Sequence, residues 1–253
     1  MVEQSKKRNM DRLERKRASI NKRLDAKRER INNLIDQKQA RLSGKMSAKQ
    51  EQIIAAALEI LAEKGLNDLS LRDIAKKLAI QAPALYWYFK SKSELVDYMA
   101  EAILYREFKN AKPRSEKESW QTWLTRHMNL LRKAMLAYPD GGRVVAGAHL
   151  SPARTLAQIF DDLSLSLTST GIEQQTALHI SMTAVHFTFG FVIEEQSMPT
   201  PEQAAAVNVH DFLAAYPNLA KSILAHRKQG NDKDRAYAAG LRMIIKGAEA
   251  ALI

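Results

Sequence analysis

The 253-residue chain contains no cysteine and few residues that interrupt helices. Without a thiol, disulfides, thiolate nucleophiles and cysteine metal ligands are all excluded. Only 10 glycines and 7 prolines are present, so long helices are favoured over a turn-rich all-β fold. No apolar signal segment opens the chain, and we therefore expect a cytoplasmic protein. The small number of glycines and prolines therefore favours a helix-rich fold.

Motifs that carry catalysis or bind cofactors are missing as well. We find no glycine-rich phosphate loop, no nucleophile elbow and no catalytic pair of carboxylates. His179 and His186 share a helical face, but they lie seven residues apart, beyond the i, i+4 spacing of helical metal ligands. We interpret both as buried or interface histidines. The sequence therefore predicts neither an enzyme nor a bound metal or cofactor.

Acidic residues are too few to balance the basic ones, and the excess lies at one end of the chain. The formal net charge is +11, and residues 1–45 hold 15 Lys and Arg against 6 Asp and Glu. An apolar stripe with the spacing of heptad a and d positions runs through Met10, Leu13, Ile20, Leu24, Ile31 and Leu34. Residues 1–45 are therefore predicted to form a basic, coiled-coil-like helical arm.

Three interpretations of this arm stay open. It can pair with the arm of a twofold-related subunit, and antiparallel pairing would keep Arg17, Lys27 and Lys38 from facing their own copies. It can lie on DNA phosphates, which is compatible with pairing because a coiled coil displays Lys and Arg outward. It can bind a membrane surface, although its stripe lacks Trp and Phe. Met46 also permits an internal start that omits the arm.

Residues 46–92 carry three helix starts in a short span. The three capping-box pairs are Ser47 with Gln50, Ser70 with Asp73, and Ser91 with Glu94. A helix from about 48 to 64 with a capping Gly65, a short helix after Ser70 and another begun by Pro83 fit the helix-turn-helix plan. The pattern predicts a DNA-binding unit.

The last of these helices ends in an aromatic segment. Leu85 and Phe89 suit a core, whereas Tyr86, Trp87 and Tyr88 cannot all face it, so at least one of the three must be exposed. A phenolic hydroxyl close in sequence to lysines is suited to a phosphate contact.

The residues of this region resemble the tetracycline-repressor (TetR) family of transcriptional regulators. The matching segments are 69–75, Pro83, 85–87 and 90–92, and beyond them 118–121, 138–144 and 186–196. The resemblance implies an all-α homodimer. The helices near 174–195 and 233–251 carry apolar residues on more than one face, so we expect them to form a four-helix interface with the same pair from a second subunit. We accordingly expect a DNA-binding domain at 46–92 and a ligand-binding and dimerisation domain at 93–253.

The resemblance also implies roles for individual residues in DNA binding. Arg72 would contact a base, while Tyr86, Trp87, Tyr88 and Lys92 would anchor phosphates. The remaining candidate DNA contacts are Gln81, Ala82, Pro83, Ala84 and Lys90. Ala82 and Ala84 stand where tetracycline repressors place polar base-reading side chains. Alanine can contact a thymine methyl but cannot form bidentate hydrogen bonds, so we expect a different operator.

The magnesium–tetracycline site of the family is mostly lost at the matching positions. Val145 stands at a metal-ligating histidine position and Ala148 at a threonine position, while Glu194 remains. The candidate ligand-binding residues are Phe108, His127, Leu131, Val145, His149, Leu163, His186 and Glu194. This set predicts an apolar or aromatic effector.

Taken together, the residues predict a homodimeric repressor that a small-molecule effector releases from a double-stranded DNA operator. One alternative is a constitutive architectural or scaffold DNA-binding protein whose pocket is vestigial and whose arm recruits DNA or a partner. Another is a membrane-surface sensor, which would require the arm to bind lipid. Effector-dependent loss of DNA binding distinguishes the first reading from the other two.

Overall fold

The computed structural model describes residues 46–197, 209–228 and 232–252. The predicted arm at 1–45 lies outside these ranges. Within them every regular element is an α-helix, which confirms the expected fold class. The helices are α1 (Ala48–Lys64), α2 (Leu71–Lys77), α3 (Ala82–Leu85), α4 (Lys92–Phe108), α5 (Trp120–Leu136), α6 (Gly141–Ala146), α7 (Arg154–Thr168), α8 (Gln174–Gln196), α9 (Val209–Ala215), α10 (Pro217–Lys228) and α11 (Lys233–Ala250).

The chain divides into two compact units. Among the described residues, the first comprises 46–56 and 71–90, and the second comprises 57–70 and those from 91 onward. Helix α1 therefore contributes its first turns to one unit and its remaining turns to the other.

The first unit is built from the start of α1 together with α2 and α3. The backbone N–H of Gln50 donates to Ser47 Oγ at 3.2 Å, and the N–H of Ser47 donates to Gln50 Oε1 at 3.0 Å, so the predicted capping box forms. Helix α2 packs against α3 and buries Ile74 and Ala75. Ala79, between these helices, has a φ of 52°, a left-handed conformation that side chains other than glycine rarely adopt.

The end of α1 belongs to the second unit. The helix is followed by Gly65, whose backbone conformation favours glycine. Gly65 has a φ of 76°, as the predicted C-cap requires, and its N–H donates to Leu61 O at 2.9 Å. The next N–H, of Leu66, donates to Asp140 Oδ2 at 2.8 Å. A Cβ at position 65 would lie 2.9 Å from that carboxylate oxygen, so both the φ and the close approach disfavour a larger residue.

Helix α8 is central to the second unit and packs against α5, α6, α7 and α11. Glu173 caps its start by accepting the N–H groups of Gln175 and Thr176. Among the described residues, α8 is the helix that is long and apolar enough to cross a membrane, a test that core helices of soluble proteins also pass. Helix α4 packs across α5, α6 and α7. Helices α4 to α7 therefore enclose one apolar core.

A polar network joins α5, α8 and α11 at one end of this unit. The guanidinium of Arg132 donates to both carboxylate oxygens of Glu195, at 3.0 and 3.1 Å, and to Asp234 Oδ1 at 2.5 Å. It also lies 4.9 Å from the centroid of the Tyr237 ring. Tyr237 Oη donates to Met128 O at 3.1 Å and pairs with the Thr188 hydroxyl at 2.8 Å. Burial raises the pKa of Tyr237 to about 12, so its hydroxyl stays protonated.

Candidate functional site

The recognition segment, residues 81–90, presents some of its aromatic side chains to solvent. Leu85 and Phe89 are buried, whereas Tyr86 is 57% and Trp87 is 39% exposed. Leu85 and Phe89 are four residues apart and Phe89 N–H donates to Leu85 O, so their side chains lie on one face of the segment. The prediction that at least one of the three following aromatic residues faces solvent is therefore confirmed.

The other DNA candidates of the first unit lie within this segment or on the helix that packs against it. Arg72 is exposed on α2, which packs against α3, and Gln81, Pro83 and Lys90 are exposed as well. Ala82 and Ala84 are half-buried. Pro83 lies in the first turn of α3, where its missing N–H leaves no helical hydrogen bond unmade.

A side chain of α1 holds the end of the recognition segment. Gln50 Nε2 donates to the carbonyl oxygen of Tyr88 at 3.4 Å, and Tyr88 itself is half-buried. Gln50 thus both caps α1 and fixes the aromatic segment. Sequence reasoning found only the capping role, because the second contact joins residues 38 positions apart. Lys92, the remaining DNA candidate, is the exposed first residue of α4 in the second unit.

Five of the predicted ligand residues lie in the core enclosed by α4 to α7. Leu131, Val145 and Leu163 are fully buried on α5, α6 and α7. Phe108, at the end of α4, is half-buried, and its ring centroid lies 6.0 Å from that of His127 on α5. The structure therefore brings Phe108 and His127 into contact within an apolar surrounding.

His127 is held uncharged by this surrounding. Burial, helped by the charge of Arg126, lowers the pKa of His127 to about 4, and the acidic Asp162 and Glu118 oppose this only in part. The backbone of Trp123 acts in the opposite direction and raises the pKa of His127. It does not form a hydrogen bond with Nδ1. The His127 ring stacks on that of Trp123, with centroids 3.8 Å apart. Sequence reasoning missed Trp123, although its i, i+4 spacing from His127 places both on one helical face.

The other three ligand candidates lie at the surface of the chain. His186 and Glu194 are exposed on α8. His149 is exposed too, and its backbone N–H and ring Nδ1 both lie 3.1 Å from oxygens of the buried Asp97. Within this single chain they do not join Phe108 and His127. His179 and His186 are both exposed, so the interpretation of either as a buried histidine was wrong and the interface alternative remains.

A groove lies elsewhere on the second unit. It has a volume of about 770 Å³ and is lined by residues of α4, α5 and α11, including Arg106, Lys133 and Leu136. None of the predicted ligand residues lines it. Its basic side chains have acidic neighbours, since Lys133 Nζ lies 2.6 Å from Glu107 Oε2.

Helix α6 begins at a junction of three chain segments. Asp140, at its N-terminus, has a φ of 56° and accepts the N–H of Leu66 from the loop after α1. Gln196, at the end of α8, accepts the N–H of Gly142 at 2.9 Å and donates to Tyr138 O at 2.8 Å. These bonds tie the end of α1, the start of α6 and the end of α8 together.

Comparisons with known proteins agree with this arrangement of helices. The family model of bacterial regulatory proteins, tetR family, matches residues 53–99, and that of the tetracyclin repressor-like C-terminal domain matches residues 112–252. The tetracycline repressor protein class A from transposon 1721 of Escherichia coli is 33% identical over 195 residues, covering 77% of this chain and 88% of that protein.

Two solved structures of TetR-family proteins also resemble this chain. A possible TetR family transcriptional regulator from Streptomyces coelicolor A3(2) is 29% identical, with a TM-score of 0.70 over 80% of this chain and 99% of that one. A variant of TetR from Acinetobacter baumannii AYE, in complex with minocycline, is 31% identical, with a TM-score of 0.61 over 79% of this chain and 92% of that one. From these matches and its helix-turn-helix unit, the chain belongs to the TetR family of DNA-binding transcriptional regulators.

Proposed function

We propose that this protein is a cytoplasmic, homodimeric repressor that binds operator DNA and is released by a small, largely apolar or aromatic effector. The observation that carries this proposal is the contrast between the exposed aromatic residues of the recognition segment and the buried apolar residues among α4 to α7. The first set suits a nucleic-acid backbone, and the second suits a small organic molecule. The domains are proposed as 46–92 for DNA binding and 93–253 for effector binding and dimerisation.

DNA binding is supported by the chemistry of the exposed side chains in the first unit. Arg72 can form a bidentate contact with a guanine edge. The Tyr86 hydroxyl, Trp87 Nε1 and the Lys90 ammonium group can donate to phosphate oxygens. Lys92, at the first position of α4, adds a further positive charge. The half-buried Ala82 and Ala84 offer only methyl groups, which favours contact with thymine.

Dimerisation is supported by the apolar residues that α8 and α11 leave exposed. Leu178 and Met182 lie on α8 one helical turn apart, and Met243 on α11 is 73% exposed. Gly190 and Gly247 interrupt these same two helices, and no atom of the described residues would contact a Cβ at either position. Glycine inside a helix costs about 1 kcal/mol relative to alanine, so a closely packed helix of a second subunit would account for both. His186 and Glu194 lie on α8 and would then be offered to the partner.

An effector among α4 to α7 is supported by the residue types that line this core. Leu131, Val145 and Leu163 are fully buried and offer no metal donor atom, so we expect no response to magnesium–tetracycline. Phe108, Trp123 and His127 supply aromatic surface. Effector binding would favour dimers whose two recognition segments no longer match successive major grooves, which recur about every 34–36 Å.

The basic arm is proposed to strengthen DNA binding. Residues 1–45 carry a net charge of +9 in the sequence, and each Lys or Arg that neutralises a phosphate releases counterions. Antiparallel pairing of two arms would leave their outer Lys and Arg side chains available to DNA. Deletion of these residues should then lower DNA affinity and its salt dependence while leaving the dimer intact. Unchanged affinity and salt slope would show that the arm does not serve DNA.

The proposed function is tested by a gel shift with the DNA that flanks the gene of this protein. The full chain is titrated with and without a panel of aromatic drugs. We expect specific binding that at least one compound abolishes. Binding that resists every compound would instead indicate a constitutive DNA-binding protein.

A further inference from the structure

Two buried rings of α5 each carry a polar atom that is left unsatisfied. Trp123 and His127 are each only 1% exposed. Among the described residues, neither Nε1 of Trp123 nor Nδ1 of His127 has a hydrogen-bond partner. Buried polar groups are nearly always hydrogen-bonded, so two unsatisfied ones on stacked rings call for a partner that the described residues do not supply.

The two atoms define what such a molecule must offer. The indole Nε1–H of Trp123 can only donate, whereas Nδ1 of a neutral imidazole accepts when the proton lies on Nε2. A hydroxyl group satisfies both atoms, because its oxygen accepts from the indole and its proton is donated to the imidazole. The rings of Trp123 and Phe108 lie beside that of His127, with centroids 3.8 and 6.0 Å from it, so a ligand bound here would have aromatic neighbours.

The charges around the two rings argue against an anionic ligand. Arg126, whose charge acts on the His127 ring, is held by both carboxylate oxygens of Glu118, at 3.0 and 3.2 Å. The pKa of about 4 keeps His127 itself neutral, so the imidazole offers no positive charge near pH 7. The acidic Asp162 on α7 acts on the same ring and would repel an anion.

We propose that Trp123 and His127 select an uncharged aromatic effector whose hydroxyl group pairs with Nε1 of Trp123 and Nδ1 of His127. This inference rests on the effector control proposed above. It adds Trp123 as a specificity-determining residue and gives the ligand a chemical class, a neutral phenol-like molecule.

Three matched probes test the inference by calorimetric titration of the full chain. β-Naphthol is neutral and hydrogen-bonding, naphthalene lacks the hydroxyl, and β-naphthoate is anionic near pH 7. We expect naphthol to bind at least about tenfold more tightly than naphthalene, as the two buried hydrogen bonds of its hydroxyl allow, and naphthoate to bind most weakly. Equal binding of all three, preference for naphthoate, or no binding of any would overturn the inference.

Two variants locate the hydroxyl contact. His127→Leu and Trp123→Phe should each remove the preference for naphthol while naphthalene binding persists, and Trp120→Phe, on the same helix, should leave the preference unchanged. Thermal melts should show Tm unchanged or raised for His127→Leu, because an unsatisfied buried polar atom is removed. Retention of the naphthol preference in both variants would overturn the inference.

The outcome also separates this inference from the proposed function. Release from DNA by a compound of another class, without naphthol binding, would overturn the inference and leave effector control standing. DNA binding that no compound affects would overturn effector control itself.

Discussion

The two units of the chain hold their candidate binding residues in opposite environments. The first unit displays Tyr86, Trp87 and Arg72 to solvent and keeps Leu85 and Phe89 inside. The second unit keeps its proposed effector residues inside, with Leu131, Val145 and Leu163 fully buried. A DNA contact must be ready at the surface before binding, whereas an effector core must exclude water. The comparison teaches that exposed aromatic and basic side chains identify the candidate site in the first unit. In the second unit, buried polar atoms that lack a hydrogen bond identify it.

The largest expected effect tests whether dimerisation belongs to the second unit. Met243→Arg places a charge on the exposed face of α11, and we expect sedimentation to show monomers. Operator affinity should then fall about 100-fold or more, because two linked heads bind with avidity. Leu150→Arg is the matched control, since Leu150 is 50% exposed but lies outside α8 and α11. A dimeric Met243→Arg protein would place the interface elsewhere.

Truncation of a buried residue measures the core of the second unit. Leu163→Ala on α7 should lower the free energy of unfolding by about 2–5 kcal/mol, because it leaves a cavity among α4 to α7. Leu165→Ala, on the same helix but at a position 66% exposed, should change it by less than about 0.5 kcal/mol. Urea denaturation followed by circular dichroism gives both values. Equal losses would show that α7 is not oriented as described.

Two substitutions sharpen the account of DNA binding by separating specificity from affinity. Arg72→Ala should cost about 1–3 kcal/mol of binding free energy and relax preference at one operator position. Lys92→Ala should weaken all sequences alike and reduce the salt slope by about one unit, because one phosphate contact is lost. Fluorescence anisotropy with single-base operator variants distinguishes them. Identical behaviour of the two variants would contradict the roles assigned.

The smallest effect is a dependence of stability on pH in the second unit. The pKa of His127 falls from 6.5 to about 4 on folding, so between these values the unfolded chain binds a proton that the folded chain does not. Stability should therefore decrease as pH falls through this window, by up to about 1 kcal/mol per pH unit. Urea melts of wild type and His127→Leu measure it. An identical slope in the variant would exclude His127 as the cause.

The parts of the fold that depend on local sequence could be predicted from it. The capping box of Ser47 and Gln50, the left-handed Gly65 and the buried Leu85 and Phe89 each follow from a few adjacent residues. The left-handed Ala79 could not be predicted, because its conformation depends on how the turn between α2 and α3 packs.

The candidate sites show the same division between features set by adjacent residues and features set by packing. The residues of the recognition segment follow from its local pattern, and the exposure of at least one of Tyr86, Trp87 and Tyr88 could be predicted. The binding of Arg132 to Glu195 and Asp234 joins separate helices, and the burial of the Trp123 and His127 rings depends on what packs against α5. No periodicity encodes which polar atoms a core leaves unsatisfied. The roles of the predicted DNA and effector residues therefore stay predictions.

The central claim is that effector binding in one unit and DNA binding in the other are coupled, and one measurement tests it most directly. The affinity of a releasing compound is measured calorimetrically for the free protein and for the operator complex. Coupling is reciprocal, so a compound that weakens DNA binding by a given factor must bind the complex more weakly by the same factor. We expect equal factors, on the order of 5–150. Equal affinity of the compound for the free and the DNA-bound protein would contradict the account.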